Sequence, residues 1–450
     1  MRMRLQRISI GRYKNLRNFD CVLSDSNTSA FIGNNGSGKS NLLEAIAAVF
    51  SFAKNSTTEK NSNLIVTPDI EDCSIEYVSG DHRFVLRCTK SDVSIFDGET
   101  KLSRREIPDA LPSAILLYYA GETTRQARTA DTTFDEKYNN RLKKAAGGDL
   151  PGYKFLDYYS TKDLGLLLLT AAVYRGPYYE RLLELLGCAE LLPQFHILLK
   201  NPKGRAGSAD TYWNAQGFVK NFLNQLRRYV AGTRDLSAKY IMFFRGFDDF
   251  TSLAEHESEL FAKLKALQNA GYLDRMFLSL KRTDGTEFPF DTLSEGEKQL
   301  SLLFLLLSFT AHDDCLYLFD EFDAYLHLNW QKAFAKTIHS VDINGHMIFT
   351  THSPATVSGM HKKDVYIMSN GQAGPAPSET YNRSLDEIME EHMLVSMRPA
   401  EYNESVQAFR GAVMRGNRAE AEAVLARIRE IVGESDPFFI TARIALNRME

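Results

Sequence analysis

The residues best equipped for chemistry lie in four short segments. The first is Gly33-Asn34-Asn35-Gly36-Ser37-Gly38-Lys39-Ser40, a G-x-x-x-x-G-K-S run. Its glycines let the backbone curl until several N–H groups face one anion. A helix starting at Ser40 would aim its positive end at the same point. Lys39 would reach the β- and γ-phosphates of a nucleotide, and Ser40 would hold Mg²⁺. Asn41 lies in the same first turn and counts with the binding residues. The second segment, Cys315–Glu321, is an apolar strand ending in two carboxylates. Asp320 can hold Mg²⁺, and Glu321 can polarise an attacking water. The third, Leu293–Gln299, reads L-S-E-G-E-K-Q, with Ser294 placed to cap a helix. The fourth, Thr350-Thr351-His352-Ser353-Pro354, follows a strand. By the rule that ligands sit at strand carboxyl ends, His352 falls beside the phosphates. The candidate catalytic residues are therefore Glu321, Lys39 and His352, and the metal ligands are Ser40 and Asp320.

The elements that must position these groups can be read from periodicity. Leu5–Ile10 alternates as a strand, Phe19–Leu23 is a second, and Ser29–Ile32 runs straight into the glycine loop. The loop is followed by a helix over Ser40–Phe50. Ser74–Tyr77, Phe84–Cys88 and Val93–Phe96 read as an antiparallel meander, and Ser113–Tyr119 as a buried strand. Between residues 121 and 275 the leucine-dense stretches Phe155–Leu186, Ala189–Leu199, Gly217–Val230 and Leu253–Leu267 read as helices. Met276–Lys281 and Glu287–Phe290 flank a hairpin turn. A helix over Glu295–Thr310, strands at Leu316–Phe319, His346–Thr350 and Val365–Met368, and a helix over Leu328–His339 follow. Gly371–Ser378 reads as a linker, and the tail from Leu385 as helical with breaks at Gly416-Asn417 and Gly433–Pro437. The expected organisation is 1–120, an N-terminal lobe; 121–275, a mainly helical insertion; 276–375, a C-terminal lobe; and 376–450, a helical C-terminal region.

With 450 residues, 44% hydrophobic and 24% charged, the chain has the balance of a soluble globular protein. Its net charge of −4 excludes a general polycation, so any nucleic-acid surface must be local. Clusters such as Arg2–Arg17 and Arg141–Lys144 read first as solvated faces, and DNA binding there would show a steep salt dependence. The five cysteines form no C-x-x-C pair, which suits reduced thiols. No apolar run approaches the roughly 18 residues that span a bilayer. A cytoplasmic location, with no membrane partner, is expected.

The order loop, L-S-x-G-E, strand-D-E and T-H-S-P resembles the ABC-type ATPases of the SMC, RecF and OLD-like group. That resemblance implies an α/β fold: a P-loop ATPase head with a mixed sheet flanked by helices, a helical insertion and a helical tail. It implies ATP and Mg²⁺ as ligands, Asp323 in a D-loop and His352 as a switch histidine. It also implies that Ser294 and Gly296 touch the γ-phosphate held by another subunit. One loop and one signature per chain agree with this, since a complete site then needs at least a dimer. Gln126 lies where the group has a Q-loop glutamine, but that role stays unassigned. The insertion and the tail R-G-N-R-A-E-A-E-A-V-L…D-P-F-F-I-T-A-R resemble the stand-alone ATPases of the Septu anti-phage systems, which implies an HNH nuclease partner and a chain that is not itself a nuclease. The alternative is a RecF/SMC-like DNA-binding repair ATPase without such a partner.

Overall fold

The computed structural model describes residues 3–58, 69–120, 132–145, 150, 154–202, 206–236, 238–332, 334, 343–393, 400–433, 436 and 438–447. They cluster in two units, Met1–Arg383 and Ser384–Glu450.

The larger unit is organised by a seven-stranded sheet. Its order is Gln372–Pro375, Val365–Ser369, Thr28–Ile32, His346–Thr351, Cys315–Asp320, Ala114–Tyr119 and Leu156–Tyr159. All pairs are parallel except the first, an antiparallel edge hairpin. The inner strands Thr28–Ile32, His346–Thr351 and Cys315–Asp320 are buried throughout, as a sheet covered on both faces requires. A six-stranded antiparallel sheet packs beside it, built on the long strand Arg4–Tyr13, which pairs with both Leu16–Val22 and Glu71–Ser79. The helix Lys39–Thr58 shares a core with residues of both sheets. That explains a helix buried on nearly every side, with an apolar stretch from Leu42 to Phe50 broken only by Glu44.

Residues 121–275 contain more strand than the leucine pattern suggested. Ala189–Leu199, read as a helix, forms parts of two strands, Cys188–Leu191 and Phe195–Lys200. Pro193 breaks any helix there. Phe195–Lys200 is an inner strand of a four-stranded antiparallel sheet with Gly232–Asp235, Lys239–Phe244 and Leu273–Phe277. A short apolar run buried on both faces does not reveal its period. Phe155–Leu186 likewise begins with the strand Leu156–Tyr159, which extends the central sheet, before the helices Leu164–Tyr174 and Pro177–Leu186. The expected hairpin is present, between Ser279–Arg282 and Glu287–Pro289. Gly371–Ser378 is not a linker: Gln372–Pro375 returns on Val365–Ser369 through Asn370 and Gly371, both at positive φ. Asn-Gly between two extended runs is a strong hairpin signal, and it outweighs the Gly/Pro/Ser content of the residues that follow. The helix read over Leu328–His339 and the glutamine Gln126 fall partly or wholly outside the described residues.

Among its described residues the smaller unit has four helices, Leu385–Glu391, Ala400–Met414, Arg418–Val432 and Phe438–Asn447. The last three close on Phe409, Ala421, Ile428, Phe439 and Ala442. Ser384 and Asn417 cap two of the four. Among the described residues no helix is long and apolar enough to cross a membrane, and all five cysteines are free thiols.

Candidate functional site

Parallel register brings three of the four motif segments to one edge of the central sheet. Thr351 pairs with Ile32, the residue before the glycine loop, and Phe349 pairs with Phe319, the residue before Asp320. The loop, the two carboxylates and His352 therefore leave neighbouring strands at their carboxyl ends.

The loop is shaped by contacts that only glycine allows. Gly33 has φ 149° and Gly38 φ 110°. A Cβ on Gly33 would lie 2.1 Å from the Met368 carbonyl, and one on Gly38 would lie 2.8 Å from Leu16 Cδ2. Two turns from elsewhere brace it. Asn15 Nδ2 donates to the Gly36 carbonyl at 2.8 Å, and Asn41 Nδ2 donates to Asn15 Oδ1 at 2.6 Å. The Gly371 N–H donates to the Ser37 carbonyl at 3.0 Å. Asn15 and Gly371 escaped the sequence reading because their role depends on strands that are distant in the chain. Lys39 is buried, and its Nζ donates to the Gly33 and Asn34 carbonyls at 2.8 and 3.2 Å. Burial pulls its pKa down, while the charges of Glu321 and Asp320 hold it up. The hydroxyl of Ser37 is buried with no hydrogen-bond partner among the described residues. A buried cation, an orphaned hydroxyl and a Cβ-free cradle fit a polyphosphate.

Asp320 is 2% exposed, and its carboxylate accepts hydrogen bonds from Thr350 and Ser40. Burial raises its pKa, which those bonds and Lys39 oppose. Ser40 and Asp320 together form a hard oxygen pair suited to Mg²⁺. Thr350 also supports the next residue, since its Oγ1 accepts from the Glu321 N–H at 2.9 Å. Glu321 needs that support, because its φ of 48° is left-handed. For a non-glycine residue this costs about 1–2 kcal/mol, and such strain collects at functional sites. His352 Nε2 stands 3.7 Å from Glu321 Oε1. Burial, then the charge of Lys39, lowers the His352 pKa, which favours the neutral imidazole. A cavity of about 400 Å³ opens between Glu321 and His352 on one side and Asp323 and Leu328 on the other.

Asp323 is 2% exposed and anchors this rim. Thr351 Oγ1 donates to its Oδ2 at 2.5 Å, and Thr356 donates to the same oxygen. Burial lifts its pKa to about 6 against those bonds. Gln331 Nε2 donates to the Asp323 carbonyl at 3.0 Å, and its Oε1 accepts from Ser353 Oγ at 2.6 Å. Gln331 and Thr356 carried no signal in the sequence: neither lies in a motif, and only the fold gathers them.

The third segment stands apart. Ser294 caps the helix Glu295–Thr310 in a reciprocal capping box with Glu297, as its position in the sequence suggested. Its hydroxyl is exposed and bonds within that first turn, donating to Glu297 Oε2 at 2.7 Å. Gly296 is approached by the Tyr325 carbonyl, 3.0 Å from where a Cβ would be. Among the described residues no hydrogen bond joins Ser294 or Gly296 to the loop. The helix is tied to the sheet farther on, where the buried Gln299 Nε2 donates to Tyr118 Oη at 2.7 Å.

The chain is similar to the Retron Vc95 probable ATPase of Vibrio cholerae serotype O1 biovar El Tor, 24% identical over 412 residues that cover 82% of this chain and 74% of the relative. It is 24% identical to the Retron Ec83 probable ATPase of Escherichia coli over 135 residues, 29% of this chain and 25% of that one. Among solved structures it is similar to the SMC head domain from Thermotoga maritima, with a TM-score of 0.37 and 14% identity over 84% of this chain and 99% of the other. The RecF/RecN/SMC N terminal domain matches residues 4–373, more than half of the chain, and the chain belongs to that family of ATPase heads.

Proposed function

We propose that this chain binds and hydrolyses ATP, closes into a dimer around two ATP molecules, and serves as the regulatory subunit of a nuclease-containing anti-phage defence complex. The observation that carries the ATPase reading is the strained Glu321, held by Thr350 beside Asp320 at the edge where the glycine loop and His352 also end. In this reading the loop N–H groups and Lys39 bind the phosphates. Ser40 and Asp320 hold Mg²⁺, which offsets phosphate charge when bound. Glu321 orients and polarises the attacking water, and the neutral His352 contributes an N–H toward the same phosphate. Ser294 and Gly296, free of the loop in their own chain, cap the γ-phosphate of a second copy. Residues 1–120 and 276–375 supply the two lobes of the head, 121–275 the insertion and 376–450 the tail.

The defence assignment draws on two retron ATPases among the relatives and on the resemblance of the insertion and tail to Septu ATPases, whose partner is an HNH nuclease. Nuclease chemistry then belongs to the partner and not to this chain, in the cytoplasm.

Two measurements test this. Light scattering of Glu321→Gln with ATP should give a long-lived dimer with turnover reduced at least ~100-fold; turnover at the normal rate removes Glu321 as the base. Purification with the product of the adjacent gene should give a nuclease-containing complex; a chain that instead binds only DNA is a RecF-like repair ATPase.

A further inference from the structure

A second cavity, about 860 Å³, lies away from the glycine loop. It is walled by the end of the strand Leu156–Tyr159, the helices Leu164–Tyr174 and Glu257–Asn269, the strand Leu273–Phe277, and the segment leading into the Ser294 helix. Six cations line it: Lys162, Lys200, Lys239, Lys265, Arg275 and Lys298. Three carboxylates face them, Asp163, Asp274 and Asp291. This surplus of positive charge belongs to a chain whose net charge is −4.

The pairing inside the cavity sharpens the point. Lys265 is neutralised by Asp163 at 2.6 Å, both buried. Lys200 and Lys239 share one carboxylate, Asp274, at 2.9 and 3.3 Å. Lys298 lies 3.8 Å from Glu295, while Lys162 and Arg275, both exposed, have no ion pair among the described residues. The cavity therefore keeps unbalanced cations, which suit a phosphate. Half-buried rings of Tyr158 and Phe290 share the wall, and a planar ring can stack on such faces; Phe277, also in the wall, is already stacked by His196 with ring centroids 4.3 Å apart. Gln268 also lines the cavity, although its Oε1 is itself buried and has no hydrogen-bond partner among the described residues. The volume lies in the range of about 300–1,000 Å³ typical of small-molecule sites.

We propose that this cavity is a second ligand site, for a nucleoside phosphate, distinct from the glycine loop. The phosphate sits on Arg275, Lys162 and the Lys200–Lys239 pair, and the base stacks on the aromatic wall. Lys298 and Asp291 belong to the cavity and flank Ser294 in sequence, so occupancy is felt at the turn proposed to contact a second copy. The existence of the site does not depend on that reading.

The test uses the full chain carrying Lys39→Ala, which disables the loop, and calorimetric titration with AMP and with ADP. One saturable site per chain is expected. Lys162→Glu with Arg275→Glu should weaken it at least ~10-fold, because neither residue leaves a carboxylate unpaired when replaced. A 5′-phosphorylated trinucleotide against its 5′-hydroxyl counterpart separates a free nucleotide from the end of a strand as the source, and binding of either phosphorylated probe supports the site. If Lys39→Ala does not fold, photo-crosslinking of 8-azido-AMP to the wild-type chain should label peptides within 273–298. The proposal is overturned by no saturable binding up to millimolar concentrations, by binding that the double charge reversal leaves unchanged, by pyrophosphate binding as tightly as AMP, or by label confined to the glycine loop.

Discussion

At the carboxyl edge of the parallel sheet, Lys39, Asp320 and Thr350 are buried, and Asp320 is bonded to residues of other elements. At the Ser294 turn the hydroxyl is exposed and bonded three residues along its own chain. The first region is finished within one copy, down to a strained backbone at Glu321 that only its neighbours hold in place. The second is satisfied within its own first turn, with only the Tyr325 carbonyl drawn close to Gly296. The contrast separates an assembled half-site from a surface offered outward, which is why the proposed reaction needs a second copy.

The largest expected effect tests the finished half. Lys39→Ala removes a buried ammonium, and charged hydrogen bonds of about 1.5–3 kcal/mol each are lost with it. ATP affinity should fall at least ~100-fold in a fluorescent-nucleotide titration; unchanged affinity would break the comparison at its root. The offered half is tested by Ser294→Arg. Nucleotide affinity of the single chain should stay within about threefold of wild type, while ATP-dependent dimerisation and turnover fall at least ~10-fold. Mixing it with Lys39→Ala should restore part of the turnover, since the mixed dimer holds one intact loop facing one intact signature. Recovery that never appears would return Ser294 to a helix cap and nothing more.

A finer cut concerns the clamp. Thr350→Val keeps the shape of the side chain but removes its bonds to Asp320 and Glu321. Turnover should drop about tenfold with KM for ATP within about threefold, and Thr350→Ser should restore it; a purely structural role would lower the melting temperature without that split.

The smallest effect compares His346, at the amino end of its strand, with an acidic residue of the rim at the carboxyl end. His346 is fully buried, accepts from the Leu5 N–H at 3.0 Å through Nδ1, and lies 3.1 Å from Ser29 Oγ through Nε2. Burial pushes its pKa down from 6.5 to about 3. Between those values the unfolded chain binds the proton and the folded one does not, so the stability this neutral histidine contributes is complete above pH 6.5 and is lost as pH falls toward 3. Asp323, raised from 3.8 to about 6, works in the opposite sense, its ionisation costing stability as pH rises through that range. Urea titrations from about pH 7.5 to about pH 4.5 should show His346→Gln losing less stability on acidification than wild type.

The sequence by itself determined the motifs and their order. Gly33–Ser40, Ser294–Glu297 and the capping box are local, because chain-neighbour geometry and backbone hydrogen bonding suffice to specify them. It also determined the strands whose ends bear the chemistry, since short apolar runs punctuated by glycine and acid leave little choice. Three things waited for the tertiary structure. The strand identity of Phe195–Lys200 was one, because a run buried on both faces shows no period. The props of the loop, Asn15 and Gly371, were another. The last was the grip of Thr350 and the Thr351–Thr356–Gln331 network on three acidic residues. Each of these depends on which strands lie side by side, and parallel pairing joins segments far apart in the chain through contacts that no local pattern encodes.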